Sequence, residues 1–94
     1  MKTIKKVGVR PVFVEFCPEK EFMLEGHIYI SKKYNSAIHL CLCGCKNETV
    51  TPLTYHQWTL TVEGEKISLS PSIGNFNFPC KSHYIITKNV ANFV

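Results

Sequence analysis

Three cysteines lie close together at Cys41, Cys43 and Cys45, and a later C-x-x-H pair adds Cys80 and His83. Zinc prefers thiolates and imidazoles, and structural zinc sites take four of them in a tetrahedron. Cysteines this close in one segment close no useful disulfide loop, so the cluster indicates a metal site in a reducing compartment. The sequence therefore predicts zinc bound by Cys41, Cys43, Cys45 and Cys80.

Two histidines leave the exact ligand set open. His39 or His83 would replace one cysteine in an alternative set, because there are more candidates than the four positions that zinc offers. If the four cysteines fill the site, His83 is a spare imidazole for acid–base chemistry near neutral pH. If His83 completes the site, one cysteine of the cluster is idle.

A serine-rich segment, residues 68–75, leads towards His83. A nucleophilic serine needs a nearby base and donors for the developing oxyanion. A turn at Gly74 would expose the hydroxyl of Ser72, and His83 would be its base, whereas Ser82 should point to the opposite strand face. No G-x-S-x-G elbow is present, and a turn stabilised by local side-chain bonds explains the same residues without catalysis. The candidate catalytic residues are Ser72 and His83.

A zinc-dependent peptidase is the rival chemistry. Three protein ligands would leave an open zinc position for water, with a carboxylate as base. Glu48 is the nearest acidic residue after the cluster, but the chain has no H-E-x-x-H motif. A shell rich in thiolates is also more typical of a structural site.

Length and charge narrow the class of protein. A chain of 94 residues has the length of one domain, so we expect a single domain over residues 1–94, the zinc-binding β domain. Its net charge of +4 is scattered rather than gathered into a basic patch with stacking aromatics, which argues against nucleic acid. No apolar run approaches the roughly 18 residues of a membrane helix. Arg10, Pro11 and Glu15 interrupt the apolar N-terminal stretch, which indicates a strand rather than a signal peptide. We expect a cytoplasmic protein that binds neither nucleic acid nor membrane.

The elements that must position these side chains are mainly strands, which predicts a small, zinc-stabilised antiparallel β domain with one short helix. The helix is expected over residues 18–26, before a glycine stop signal. A hairpin is expected around Glu63-Gly64-Glu65, and residues 71–79 should form a loop. The predicted strands are residues 7–16 (with Pro11 at an edge or bulge), 27–31, 37–43, 58–62, 67–69 and 83–87, with 89–94 as an edge strand.

Strand alternation would also arrange the cysteines. In a strand over residues 37–43, side chains at every second position share one face, so His39, Cys41 and Cys43 point the same way as Cys45. Gly44 would then allow the tight turn that brings neighbouring sulfurs to one ion.

The order of motifs resembles a family of small bacterial proteins classed as a domain of unknown function. The motifs are FVEFCPEK, GHIYIS, HLCLCGC, TPL, W-x-L and ISLSPSIGNFNFPCKSHYII, and the resemblance covers about residues 11–86. Ile28 stands where the family's G-x-L-Y segment has Leu, a mild departure. By position, the family's motifs fall on Cys41, Cys43, Cys45, Ser68, Pro71, Ser72, Pro79, Cys80, Ser82, His83 and Tyr84.

Genes of this family lie beside ubiquitin-like, activating-enzyme-like and conjugating-enzyme-like genes. The resemblance therefore implies a peptidase that trims the C-terminal tail of a ubiquitin-like precursor for conjugation. Its partners would be that precursor and the activating- and conjugating-enzyme-like proteins. The alternative is a non-catalytic zinc-binding adaptor of the same pathway.

Overall fold

The structure, a computed structural model, describes residues 6–54, 56–75 and 78–94 and is built from strands. In chain order the strands are β1 Lys6–Gly8, β2 Arg10–Phe13, β3 His27–Ser31, β4 Ser36–Leu40, β5 Glu48–Pro52, β6 Thr59–Glu63, β7 Lys66–Gly74, β8 His83–Thr87 and β9 Val90–Phe93. They form two sheets, in the orders β1-β9-β8-β7-β6 and β2-β3-β4-β5. All neighbours are antiparallel except β2 and β3. The prediction of a mainly antiparallel β fold is confirmed.

The main core lies between the two sheets because strands of both contribute apolar side chains to it. Ile28 and Ile30 come from β3, and Leu69, Tyr84 and Ile86 come from β7 and β8. Each of these side chains is at most 1% exposed. A side chain of this size buried fully contributes about 1.5–3 kcal/mol relative to exposure. The site residues therefore sit on a packed two-sheet frame.

A second apolar cluster covers the other face of the smaller sheet. It consists of Met23, Tyr29, Ile38 and Leu40, with Cys17 packed against it. Parallel strands need a crossover connection, and the chain between β2 and β3 supplies Met23 and Cys17 to this cluster. The hydroxyl of Tyr29 accepts a hydrogen bond of 3.0 Å from the backbone N–H of Leu24, which ties the crossover to the sheet.

The helix predicted over residues 18–26 is wrong in extent. Only one turn of 3₁₀-helix forms, at Lys20–Phe22, and none of its residues is buried. Glu19 gives no side-chain cap, and Met23 returns to an extended backbone. A helix without a buried face or a cap lacks the contacts that stabilise most helices in proteins.

The first predicted strand, residues 7–16, is two strands in different sheets. β1 pairs with β9, whereas β2 pairs with β3. The change of sheet falls at Val9 and Arg10, whose N–H groups donate to the carbonyls of Asn89 (2.8 Å) and Gly26 (2.7 Å). Pro11 lies on β2, an edge strand, as predicted, because an edge tolerates a residue without an N–H.

Two further expectations need correction, and one strand was missed. The last strand, β9, lies between β1 and β8 rather than at an edge. The strand β7 continues to Gly74, through the first half of the loop predicted at residues 71–79. The strand β5 was not predicted. Its buried side chains are Thr49 and Thr51, while Val50 is 48% exposed, so its polar and apolar positions are reversed from the usual pattern.

The hairpin around Gly64 is confirmed. Glu63 pairs with Lys66 at the ends of β6 and β7, and Gly64 has a φ of +62°, which suits a residue without a Cβ. Across the described ranges, no helix is long and apolar enough to cross a membrane.

Candidate active site and metal centre

Four cysteine side chains converge at one end of the sheets. The Sγ atoms of Cys41, Cys43, Cys45 and Cys80 all lie within 4.8 Å of one another. Cys41 is 3.4 Å from Cys43 and 3.7 Å from Cys80, and Cys45 is 3.6 Å from Cys80. The sequence predicted this grouping of four thiols, and the cysteines are free rather than joined in disulfides.

This donor set fits a tetrahedral metal ion. With zinc–sulfur bonds of about 2.3 Å, a tetrahedron of thiolates has edges of about 3.8 Å. The three Sγ separations of 3.4, 3.6 and 3.7 Å are close to that length. A tetrahedral set of four thiolates is one of the closed sites that hold structural zinc or iron–sulfur centres. The cluster could therefore hold a metal ion that prefers sulfur ligands.

The cysteines converge through a loop rather than through strand alternation, which corrects the expectation of a strand over residues 37–43. The strand β4 ends at Leu40. The Cys41 N–H then donates to the carbonyl of Asn47 (2.7 Å), and the Gly44 N–H donates back to the carbonyl of Cys41 (3.2 Å). Gly44 and Lys46 have φ values of +98° and +63°, so the chain folds back on itself between these bonds. Gly44 makes the turn, as predicted.

Hydrogen bonds surround the thiols. The Asn47 side-chain amide donates to Sγ of Cys45 (3.2 Å), and the Ser82 hydroxyl lies 3.0 Å from Sγ of Cys41. The Cys80 thiol also forms a hydrogen bond with Ser82, which lowers the pKa of Cys80 to about 6. Burial, by contrast, raises the pKa of the Cys41 thiol. A bound cation would stabilise all of the thiolates together.

A buried polar network extends from the thiols into the core, with Asn75 at its centre. The Asn75 side-chain amide donates to Oγ of Ser82 (3.0 Å) and to the hydroxyl of Tyr84 (3.2 Å). Its carbonyl oxygen accepts from Oγ of Thr49 (3.2 Å), and its backbone N–H donates to the carbonyl of Ser82 (2.8 Å). Because Asn75 is only 7% exposed, these bonds replace water that it would otherwise bind.

His39 belongs to this network and not to the thiol group. Its Nε2 atom forms a hydrogen bond of 2.7 Å with the hydroxyl of Tyr84. Burial lowers the pKa of His39 to about 4, so the imidazole is neutral at pH 7, and burial also raises the pKa of Tyr84. The Nδ1 atom of His39 is buried without a partner among the described residues. The structure thus places His39 in the core rather than among the converging thiols.

Ser72 and His83 lie side by side, as the sequence predicted. The Nε2 atom of His83 is 2.8 Å from Oγ of Ser72. Both side chains are half-buried. A serine hydroxyl hydrogen-bonded to an imidazole is the arrangement of an activated nucleophile and its general base.

The position of Ser72 differs from the expectation. It lies on β7 instead of in a turn. The register between β7 and β8 shifts between Leu69 and Ile73, where four steps on β7 face two steps on β8 (Leu69 with Ile86, Ile73 with Tyr84). This bulge re-aims the side chains of the strand. Gly74 lies directly opposite His83 and has no side chain of its own on that face.

Alternation at the start of β8 separates the two sites. Ser82 and Tyr84 are buried and bond into the network of Asn75, whereas His83 between them is half-buried and meets Ser72. The prediction that Ser82 points away from His83 is confirmed. Glu48, the base of the rival zinc mechanism, is an exposed residue of β5 opposite Leu40.

The network residues Asn75, Thr49 and Tyr84 had no assigned role in the sequence-based site. Tyr84 lies within a motif that carried the family resemblance. Because neighbouring strand residues point to opposite faces, an accessible His83 would have indicated a buried Tyr84. Asn75 and Thr49 gave no such signal, because polar residues near a glycine usually indicate an exposed turn.

The chain matches the model of a known protein family. The model of the BubE family, described as a bacterial ubiquitination-like system serine protease, matches residues 13–94. The matched range includes Ser72, His83 and the four clustered cysteines, and it confirms the resemblance that the motifs carried. Searches of curated proteins and of solved structures return no match.

Proposed function

Because the chain belongs to the BubE family of serine proteases from bacterial ubiquitination-like systems, we propose that it trims the C-terminal tail of a ubiquitin-like precursor. Ser72 is the nucleophile and His83 the general base in this proposal. The observation that carries it is the 2.8 Å separation between Nε2 of His83 and Oγ of Ser72. The product is a ubiquitin-like protein with the C-terminal carboxylate that conjugation needs.

The pair performs acyl transfer in two steps. Oγ of Ser72 attacks the scissile carbonyl carbon while Nε2 of His83 takes the hydroxyl proton. His83 then gives that proton to the leaving amine as the C–N bond breaks, which leaves an ester on Ser72. Water then attacks the ester while His83 accepts a proton from it. His83 returns that proton to Oγ of Ser72 as the ester bond breaks, and the ubiquitin-like protein leaves with a C-terminal carboxylate.

The metal would be structural in this proposal. Cys41, Cys43, Cys45 and Cys80 would hold zinc, which cross-links the loop after β4 to the segment just before β8. A site filled by four thiolates has no open position for a catalytic water, unlike the three-ligand sites of zinc hydrolases. This argues for the serine mechanism over a zinc-dependent one. Free thiols also fit a reducing compartment, so a cytoplasmic location stays our prediction.

The test is incubation of the purified protein with the ubiquitin-like precursor of its own system, followed by intact-mass measurement. We expect loss of the residues after the scissile bond, and covalent labelling of Ser72 by a fluorophosphonate probe. An intact precursor together with an unlabelled serine would refute the peptidase. Tight binding of the precursor that persists in Ser72→Ala and His83→Ala variants, without cleavage, would instead support a zinc-binding adaptor.

A further inference from the structure

The strand that carries Ser72 has one open side. The strand β6 pairs with β7 only from Lys66 to Ser70, where Thr59 is the last partner. The residues of β7 beyond that point, up to Gly74, have no strand partner on the β6 side within the described ranges. Ser72 lies in this half of β7, which has a partner strand on the β8 side only.

The chain that precedes β6 does not continue the ladder. With Thr59 opposite Ser70, the next residue whose N–H would face β7 is Gln57, opposite Ser72. That N–H donates instead to the carbonyl of Thr54 (3.0 Å), and the N–H of Trp58 donates to the carbonyl of Pro52 (3.2 Å). The chain before β6 therefore turns towards the smaller sheet and leaves the edge of β7 uncovered.

The backbone groups of Gly74 point to this open side. The Asn75 N–H donates to the carbonyl of Ser82 (2.8 Å), so Asn75 faces β8. The carbonyl of His83 accepts from Val94 (2.9 Å), on its far side from β7. In an antiparallel pair, the N–H and C=O of one residue point the same way and successive residues alternate. Gly74 opposite His83 consequently directs its N–H and C=O away from β8.

Ser72 shares that orientation. It lies two residues before Gly74, and its side chain meets that of His83, the residue opposite Gly74. The alternation that fixes the side-chain face also fixes the backbone side. The open edge thus offers the N–H and C=O groups of Ser72 and Gly74 next to the candidate nucleophile.

We infer that the open edge of β7 at Ser72–Gly74 binds the tail of the ubiquitin-like substrate as an added β-strand. The inference rests on the proposed function, and it names how the same site holds its substrate. Main-chain hydrogen bonds to a sheet edge bind an extended peptide largely independently of its side chains. A strand lying 4.7–4.9 Å from β7, as neighbouring strands do, brings the substrate backbone beside the hydroxyl of Ser72. A folded segment cannot bind in this way, so the substrate is an extended tail.

The test uses synthetic peptides that carry the precursor's C-terminal tail, each with one backbone N–H replaced by N-methyl. Binding is measured on the Ser72→Ala variant, and cleavage on the unmodified enzyme. We expect every second methylation to weaken binding and kcat/KM by about tenfold, because only alternate N–H groups of an added strand face its neighbour. Methylation at the positions between them should have little effect.

Amide hydrogen exchange gives an independent measurement on the enzyme. Addition of the unmethylated peptide to the Ser72→Ala variant should slow exchange at Gly74, while the amides of the distant edge strand β5 should exchange as before. If the peptide is cleaved, but methylation has no alternating effect and Gly74 is not protected from exchange, the edge-binding inference is wrong and the proposed peptidase activity stands. If methylation weakens binding at every second position but the unmodified enzyme cleaves no peptide, the proposed peptidase activity is wrong and the edge-binding inference stands.

Discussion

Ser82 and His83 are consecutive in the chain, yet their side chains reach two different sites. The hydroxyl of Ser82 lies 3.0 Å from Sγ of Cys41, and Nε2 of His83 lies 2.8 Å from Oγ of Ser72. Because neighbouring residues of a strand point to opposite faces, a contact that fixes Ser82 also fixes the backbone from which His83 projects. The thiol cluster and the serine–histidine pair are therefore mechanically linked.

The first prediction concerns the metal. A Cys41→Ser variant should lose bound zinc and at least about 3 kcal/mol of unfolding free energy, since structural zinc contributes directly to folding. For a domain of this size that corresponds to a fall in Tm of roughly 12 °C or more. Metal content by mass spectrometry and thermal unfolding measure both effects. Cys17→Ser is the matched control, because Cys17 packs against the second apolar cluster, and it should keep its zinc. Equal metal content in the two variants would refute a four-cysteine site.

The second prediction concerns the nucleophile. Ser72→Ala should lower kcat for tail cleavage by about 10⁴-fold or more, as removal of a serine nucleophile does in serine proteases. Zinc content and Tm should stay close to those of the unmodified protein. Ser70→Ala is the control on the same strand, since Ser70 is exposed and pairs with Thr59 at the end of β6. A large loss of activity in the control would show that the strand, and not the hydroxyl, matters.

The third prediction decides whether His83 is a base or a metal ligand. His83→Gln should abolish most of the cleavage and leave zinc content unchanged, because four thiols converge without the imidazole. Metal analysis alongside steady-state kinetics separates the two roles. Loss of zinc in this variant would move His83 into the ligand set and remove it from the proposed mechanism.

The fourth prediction concerns Asn75. Replacing it with Ala leaves the buried groups of Ser82, Tyr84 and Thr49 with fewer partners, and each unsatisfied buried group costs about 1–3 kcal/mol. We expect Asn75→Ala to lower the free energy of unfolding by about 2–4 kcal/mol, measured by urea denaturation. Asn92→Ala is the control, because among the described residues its side chain has a single hydrogen bond, a local one of 3.5 Å to the carbonyl of Val90. A similarly small effect in both variants would contradict a central role for Asn75.

The sequence predicted the strands that bury apolar side chains on a regular pattern. His27–Ser31 and His83–Thr87 were predicted with their observed bounds, because runs of Ile and Tyr in each strand leave little ambiguity. The strand β5 escaped prediction because Thr49 and Thr51 satisfy buried positions through side-chain hydrogen bonds, at 3.2 and 2.9 Å. Hydropathy alone does not distinguish such threonines from exposed ones.

The candidate site was also predicted only in part. The grouping of the cysteines and the pairing of Ser72 with His83 were predicted from residue type, since few other residues could perform that chemistry. Their supporting backbone was not. The loop after Leu40 depends on a positive φ at Lys46, a residue type that gives no sign of it. The shift of register that places Ser72 depends on how β7 meets β8, which is a tertiary contact.

The division of the N-terminal segment between the sheets has a consequence for the whole molecule. Residues 6–13 cap an outer margin of both sheets, with β1 against β9 and β2 against β3. One short segment thus pairs with a strand of each sheet and connects the two layers. If it detached, β9 and β3 would both present bare hydrogen-bonding rims, which attract other chains. These eight residues therefore keep β9 and β3 from being the edge strands of their sheets, and of the eight only Phe13 lies within the family match.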